Sequence, residues 1–138
     1  MSHLFAYGTL ICEDIMQAVS GQRKGFEAAS LQHYERRSVI EQPYPALIER
    51  ADATVTGVVY RDISDDMWQR LDLFEGERFE RRLVTVQLLD GGETEACVYV
   101  LLPEHWHIVR DSGWDFERFM KEGRGTFESQ YPGYKSID

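Results

Sequence analysis

Glu75 is the residue whose chemical type and position most strongly suggest a reactive group. It ends a helix that the sequence predicts over residues 65–75. On a helical wheel that starts at Met67 and turns about 100° per residue, Leu71 lies at about 40° and Phe74 at about 340°. Glu75 lies at about 80° on the same wheel, within the apolar stripe that should face the core.

A carboxyl group in this position is predicted to hold its proton more strongly than usual. Directing a charge at a core is costly unless the charge is paired or neutralised, and the negative end of the helix dipole also disfavours the carboxylate. Both effects raise the pKa of Glu75 toward neutrality, where a group can take and return a proton. The alternative is that the helix frays at Gly76 and Glu75 turns into water toward Arg78, Arg81 or Arg82.

A second candidate is the segment Tyr7, Gly8, Thr9 and Leu10, called here the 7–10 loop. It lies between a predicted strand and a predicted helix. Glycine permits positive φ, and successive backbone N–H groups ahead of a helix can bind a carboxylate or a phosphate. The loop lacks the Gly and Lys pattern of a P-loop. The alternative is that Gly8 serves only to form a turn.

The remaining reactive residue types form no strong motif. His105 and His107 are closely spaced, but no acidic or cysteine cluster accompanies them, so no metal site is expected. The sequence contains neither a GxGxxG fingerprint nor a GxSxG nucleophile elbow, and no cofactor is predicted. Arg36 and Arg37 are expected to be solvated charges on a strand edge or loop.

The composition is that of one compact domain, predicted to span residues 1–138. The 15 basic and 24 acidic residues give a net charge of −9, which disfavours binding to nucleic acid or to an anionic membrane. The longest apolar run, residues 96–102, is far shorter than the ~20 residues of a membrane-spanning helix. The N-terminus lacks a signal-peptide pattern, and Cys12 and Cys97 are predicted to be reduced thiols. A cytoplasmic location is therefore expected.

The elements that would position these residues follow from periodicity and turn signals. Asp90-Gly91-Gly92-Glu93 predicts a hairpin turn between the last two strands. A Gly- and aromatic-rich tail runs through Tyr131, Pro132 and Tyr134. This element order predicts an α+β domain with a mostly antiparallel, barrel-like sheet. The predicted strands are residues 3–7, 26–40, 46–48, 54–60, 83–89 and 94–102, and the predicted helices are residues 12–20, 65–75 and 114–121.

Two motifs together carry a resemblance to a known family. The first is FAYGTL at residues 5–10, and the second is LDLFEGERFERR at residues 71–82. Both resemble the γ-glutamylcyclotransferase-like superfamily, and its short bacterial and plant branch fits best. Similar segments at residues 44–47, 57–60 and 96–100 extend the resemblance over most of the chain.

The resemblance implies a small mixed β-barrel flanked by a few helices. It also implies that Glu75 is the catalytic general acid and base, that the 7–10 loop holds the substrate, and that Phe79 and Tyr99 line the binding site. The implied reaction releases 5-oxoproline from a γ-glutamyl amine, amino acid or peptide, without a metal or cofactor. Such a chain would have a small-molecule partner and would bind neither nucleic acid nor membrane.

This chain departs from the family at one position of the second motif. Relatives often carry Tyr where this chain has Phe79, so one hydroxyl group is missing. Tyr99 or Tyr60 is a candidate replacement, with ordinary strand packing as the alternative for both. The alternative function is a catalytically silent module that binds a metabolite in the same pocket. The leaving group is expected to contact residues 42–45 and the segment 114–134, and no oligomeric state is predicted.

Overall fold

The computed structural model describes residues 2–130, without the side chain of residue 130. Its centre is a closed barrel of five strands in the order β1-β3-β2-β4-β5. β1 pairs in parallel with β5, and the other strand pairs are antiparallel. The predicted α+β fold with a mixed, mostly antiparallel barrel is therefore confirmed. The strands are β1 (Ser2–Ala6), β2 (Phe26–Ser38), β3 (Pro45–Ile63), β4 (Phe79–Leu88) and β5 (Glu93–Leu101).

The prediction of separate strands at residues 46–48 and 54–60 is wrong, because β3 is continuous from Pro45 to Ile63. Residues 49–52 between the two apolar runs are exposed, so the hydrophobic alternation disappears there. The register with β2 passes from Glu49 opposite Tyr34 to Thr54 opposite Gln32. The pairing changes register between Gln32 and Tyr34, and His33 adopts a positive φ of 73°. β3 thus bulges opposite His33, at its exposed stretch.

Two helices pack against the outside of the barrel and against each other, α1 (Glu13–Ser20) and α2 (Asp65–Glu75). The predicted helix over residues 65–75 is confirmed. The Ser64 hydroxyl accepts a hydrogen bond from the Met67 amide at 3.2 Å, which caps the first turn of α2. Gly76 ends α2 with a φ of 86°, in the left-handed range that favours glycine.

The C-terminal part of the described chain is more helical than predicted. The expected helix over residues 114–121 begins later, as α3 (Phe116–Arg118), and continues through a π-helical turn (Phe119–Gly123) into α4 (Arg124–Gln130). Burial of Phe127 explains why the start of the predicted tail is ordered as a helix. Tyr131, Pro132 and Tyr134 lie outside the described residues.

The core consists of two main clusters on opposite faces of the strands. One lies under α1 and α2 and contains Ile15, Met67, Leu71 and Phe74. The other is formed by strand residues and by Tyr7, and fills the barrel. Cys12 and Cys97 are both free thiols, as predicted. None of the helices in the described part is long and apolar enough to cross a membrane.

Gly57 allows β1 and β3 to approach each other closely. A Cβ atom at this position would lie 2.2 Å from the backbone oxygen of Ala6. We expect Gly57→Ala to lower the free energy of unfolding by roughly 2–3 kcal/mol because a backbone atom cannot move aside as a side chain can. Urea denaturation should show this loss. Gly113→Ala is the control, because its Cβ would meet nothing within 4 Å.

Candidate active site

The sequence-predicted site residues lie together around one small pocket that opens to solvent. The 7–10 loop forms one side of it, and Glu75 at the end of α2 contributes a carboxyl group. Phe79 at the start of β4 and Tyr99 in β5 complete the predicted set. The fold thus brings together seven residues from four separate parts of the chain.

The carboxyl group of Glu75 is densely surrounded by protein, although part of the residue remains accessible. Burial, and secondarily the negative charge of Asp72, raise the pKa of Glu75 to about 8. Its position at the C-terminal end of α2 acts in the same direction because the helix dipole is negative there. A group with this pKa can both accept and donate a proton near neutral pH.

Asp72 lies one turn before Glu75 on the same helix and is held by two contacts. The Tyr99 hydroxyl donates a hydrogen bond to Asp72 Oδ1 at 2.7 Å, and Arg81 Nη1 lies 3.5 Å from Asp72 Oδ2. The Arg81 guanidinium also stacks over the Trp68 ring, 4.4 Å from its centre. This arrangement fixes a second negative charge near Glu75.

The Glu75 carboxyl group is buried and does not extend into water, as the alternative orientation would require. Glu75 lines the pocket. Arg81 is paired with Asp72, and Arg82 is paired with Glu49. The helical wheel therefore placed the Glu75 side chain correctly.

The 7–10 loop is fixed at both ends by buried or half-buried side chains. Arg36 Nη1 donates a hydrogen bond to the Tyr7 carbonyl at 2.8 Å. The Tyr60 hydroxyl donates to the Leu10 carbonyl at 2.7 Å. The Tyr7 hydroxyl in turn donates to the Tyr99 carbonyl at 2.7 Å, which ties the loop to β5.

The prediction that Arg36 is a solvated charge is therefore wrong. Its guanidinium is half-buried behind the loop and lies 5.5 Å from the centre of the Trp114 ring. Burial lowers the pKa of Arg36. The prediction is wrong for Arg37 as well, because its side chain is only 18% exposed and forms ion pairs with Glu35 and Asp111.

The backbone of the 7–10 loop turns sharply beside the pocket. The loop runs into a short 3₁₀ turn (Thr9–Ile11) whose first internal hydrogen bond is from the Ile11 amide to the Gly8 carbonyl, at 3.0 Å. The preceding amides are consequently not used within the turn. A Cβ atom on Gly8 would lie 2.7 Å from Cγ of Pro45, so close packing requires glycine there.

The pocket lining contains one tyrosine that was not among the predicted site residues, Tyr44. Burial raises the pKa of the Tyr44 phenol. Tyr60 does not replace the hydroxyl group missing at Phe79 because its own hydroxyl binds the Leu10 carbonyl. Tyr99 lines the pocket, but its hydroxyl donates to Asp72.

Asp72 and Phe127 were also missed, for different reasons. The spacing of Asp72 and Glu75 by three residues placed both on one helix face, a signal that was available. Phe127 is buried and lines the pocket from α4, yet no pattern in the sequence connects it with the pocket. In the described part of the chain, no group of three or more His, Cys, Asp or Glu is arranged to hold a metal ion.

Comparison with known proteins decides the family. The family model described as "Gamma-glutamyl cyclotransferase, AIG2-like" matches residues 4–116. The chain belongs to this family. The match includes Glu75, the 7–10 loop, Phe79 and Tyr99, and it confirms the resemblance that the two sequence motifs indicated.

Individual relatives of this AIG2-like chain are distant. "AIG2-like protein D" from Arabidopsis thaliana is 32% identical over 123 residues, which is 86% of this chain and 79% of the relative. An Arabidopsis thaliana protein of known solution structure superposes with a TM-score of 0.73 at 22% identity, covering 93% of this chain and 78% of the other. A solved structure titled "Gamma-glutamyl cyclotransferase" superposes with a TM-score of 0.65 at 18% identity, covering 73% of this chain and 66% of that one. These two superpositions support the barrel fold.

The raised pKa of Glu75 predicts a pH-dependent cost to stability. Between the ordinary value of 4.5 and about 8, the folded state holds a proton that the unfolded state has lost. The free energy of unfolding should therefore fall as pH rises through this window. We expect Glu75→Gln to remove this slope and to be more stable than the wild type at pH 8.5 by roughly 2–4 kcal/mol.

Urea denaturation of both proteins between about pH 5 and about pH 8.5 measures this difference. Glu77→Gln is the matched control because Glu77 is exposed just beyond the same helix. Equal slopes for the wild type and Glu75→Gln would contradict a buried, protonated Glu75.

Proposed function

We propose that this AIG2-like protein cyclises a γ-glutamyl compound and releases 5-oxoproline and a free amine, as a lyase or acyltransferase of the γ-glutamylcyclotransferase type. The observation that carries the proposal is the position of the Glu75 carboxyl group, whose pKa is raised to about 8, in one pocket with the 7–10 loop. Family membership supports the same reaction class.

The substrate's α-carboxylate binds to the 7–10 loop. Backbone N–H groups of the loop that are not used by the 3₁₀ turn donate to the carboxylate oxygens. The Thr9 hydroxyl is a further donor in the same loop. Arg36 stabilises the loop by holding the Tyr7 carbonyl, and its buried positive charge favours an anion nearby.

Glu75 moves one proton in the reaction. Its carboxylate takes a proton from the substrate α-ammonium group, and the freed amine attacks the γ-carbonyl carbon. The C–N bond of the five-membered lactam forms, the bond to the leaving nitrogen breaks, and Glu75 returns its proton to that nitrogen. The lactam nitrogen gives up its second proton to the departing amine, so the products are the neutral lactam and an ammonium ion. Because Glu75 must first be deprotonated, the rate should rise with pH up to about 8.

The nucleophile and the electrophile belong to the same molecule, so the pocket needs no protein nucleophile. Its main task is to hold the γ-glutamyl chain folded, and orientation of this kind lowers a barrier by up to ~7–11 kcal/mol. A small pocket with one acid–base group and one carboxylate-binding loop is sufficient for such a reaction.

Replacing the acid–base group tests the proposal directly. We expect Glu75→Gln to lower kcat/KM for 5-oxoproline release by at least about 100-fold, since general acid–base catalysis contributes that much. The measurement is mass-spectrometric detection of 5-oxoproline over a panel of γ-glutamyl amines, amino acids and peptides. Glu77→Gln should retain wild-type activity. Ligand binding without turnover in the wild type would instead support a catalytically silent module.

A second substitution tests the loop. Gly8→Ala would push Pro45 or the loop out of position because of the 2.7 Å approach. We expect KM to rise about tenfold, which corresponds to ~1.4 kcal/mol of lost binding. Gly25→Ala is the control, as its Cβ would meet nothing within 4 Å. An unchanged KM for Gly8→Ala would contradict the role of this loop in substrate binding.

A further inference from the structure

We propose that four aromatic residues, Tyr44, Phe74, Phe79 and Phe127, form a leaving-group subsite that selects γ-glutamyl compounds of apolar, preferably aromatic, amines. We call these residues the aromatic wall. The inference rests on the proposed function, because it assigns the aromatic part of the pocket lining to the departing amine.

The aromatic wall is a packed unit within the pocket. Phe127 is 1% exposed, and its ring centre lies 5.9 Å from that of Phe74 and 6.3 Å from that of Tyr44, both edge-on. Phe79 lines the same pocket from the start of β4. Edge-to-face clusters of this kind present both ring faces and ring edges to a bound group.

The wall depends on a segment that the family model does not include. The match ends at residue 116, whereas Phe127 lies in α4. The π-helical turn brings Gly123 against Pro43, with a Cβ there 3.0 Å from Cβ of Pro43. π-Helical turns are frequent at functional sites. The C-terminal segment thus contributes Phe127 to the pocket lining.

Two further contacts hold this segment and the Tyr44 loop in place. Arg124 Nη2 forms an ion pair with Asp14 Oδ2 at 3.2 Å, which joins α4 to α1. Trp114 Nε1 donates a hydrogen bond to the Pro43 carbonyl at 2.7 Å, next to Tyr44. The positions of Tyr44 and Phe127 are consequently coupled through the C-terminal segment.

The charges of the pocket disfavour an acidic leaving group. Among the described residues that line it, Glu75 is the only Asp, Glu, Lys, Arg or His. A carboxylate on the leaving amine would lose water without gaining a cation and would face Glu75. Arg78 is exposed and does not belong to this lining, although its positive charge lowers the pKa of the Tyr44 phenol. An apolar amine, by contrast, gains contact with the aromatic wall.

Three γ-glutamyl compounds with different leaving groups test the selection in the wild-type protein: the benzylamide, the methylamide and the glycine conjugate. Burying one aromatic ring corresponds to about 10- to 100-fold in affinity. We expect kcat/KM for the benzylamide to exceed that for the methylamide at least tenfold, and the glycine conjugate to be the poorest substrate. A preference for the glycine conjugate that is lost in Arg78→Ala would overturn the proposal.

Variants of Phe127 test whether the aromatic wall causes the preference for the benzylamide. Phe127→Ala should lower kcat/KM for the benzylamide at least tenfold and leave the methylamide within about threefold of the wild type. Phe127→Leu, which retains an apolar side chain, keeps the test valid if the alanine variant loses its fold. Phe116→Ala is the matched control because Phe116 lies in the same segment but outside the pocket lining. Equal losses for both substrates would overturn the proposal.

Binding measurements test the leaving-group subsite independently of the proposed cyclisation reaction. Calorimetry on Glu75→Gln should give a dissociation constant for the benzylamide at least tenfold lower than that for the methylamide. If the wild type shows this preference in binding but releases no 5-oxoproline, the proposed reaction is wrong and the subsite stands. If 5-oxoproline is released without any preference among amines, the reaction stands and the subsite is wrong.

Discussion

The burial of one carboxyl group, that of Glu75, is the constraint on which the pocket depends. A carboxyl group inside a protein must be neutralised or compensated by its surroundings. Here the group stands at the negative end of α2, within three residues of another acid, over an apolar core. Each of these features raises the pKa of Glu75, so that the group titrates near neutrality. The same shift lowers the free energy of unfolding at alkaline pH.

The barrel provides the rigid frame that makes this burial possible. Closure of the five strands leaves β1, β4 and β5 with fixed positions around the end of α2. Tyr60 from β3 and Arg36 from β2 each donate to a carbonyl of the 7–10 loop. The loop thereby keeps its amides beside the pocket without help from a ligand, and preorganised donors of this kind lose little free energy on binding.

The pocket combines residues inside the family match with one residue beyond it. The acid, the loop and the barrel fall within the matched residues 4–116. Phe127 lies beyond them and closes the pocket against Phe74 and Tyr44. A substitution at Phe127 therefore changes the pocket lining without altering the acid or the loop.

Local signals in the sequence determined α2 with its cap, the hairpin of β4 and β5, the direction of Glu75, and the family. These features depend on neighbouring residues, through capping, turn chemistry and the helical repeat, so they can be predicted without the fold. Only the tertiary structure decided the continuity of β3, the contact of Arg36 with Tyr7, and the positions of Tyr44 and Phe127 in the pocket. Each of these features depends on contacts between residues that are distant in sequence, and local sequence patterns do not predict such contacts.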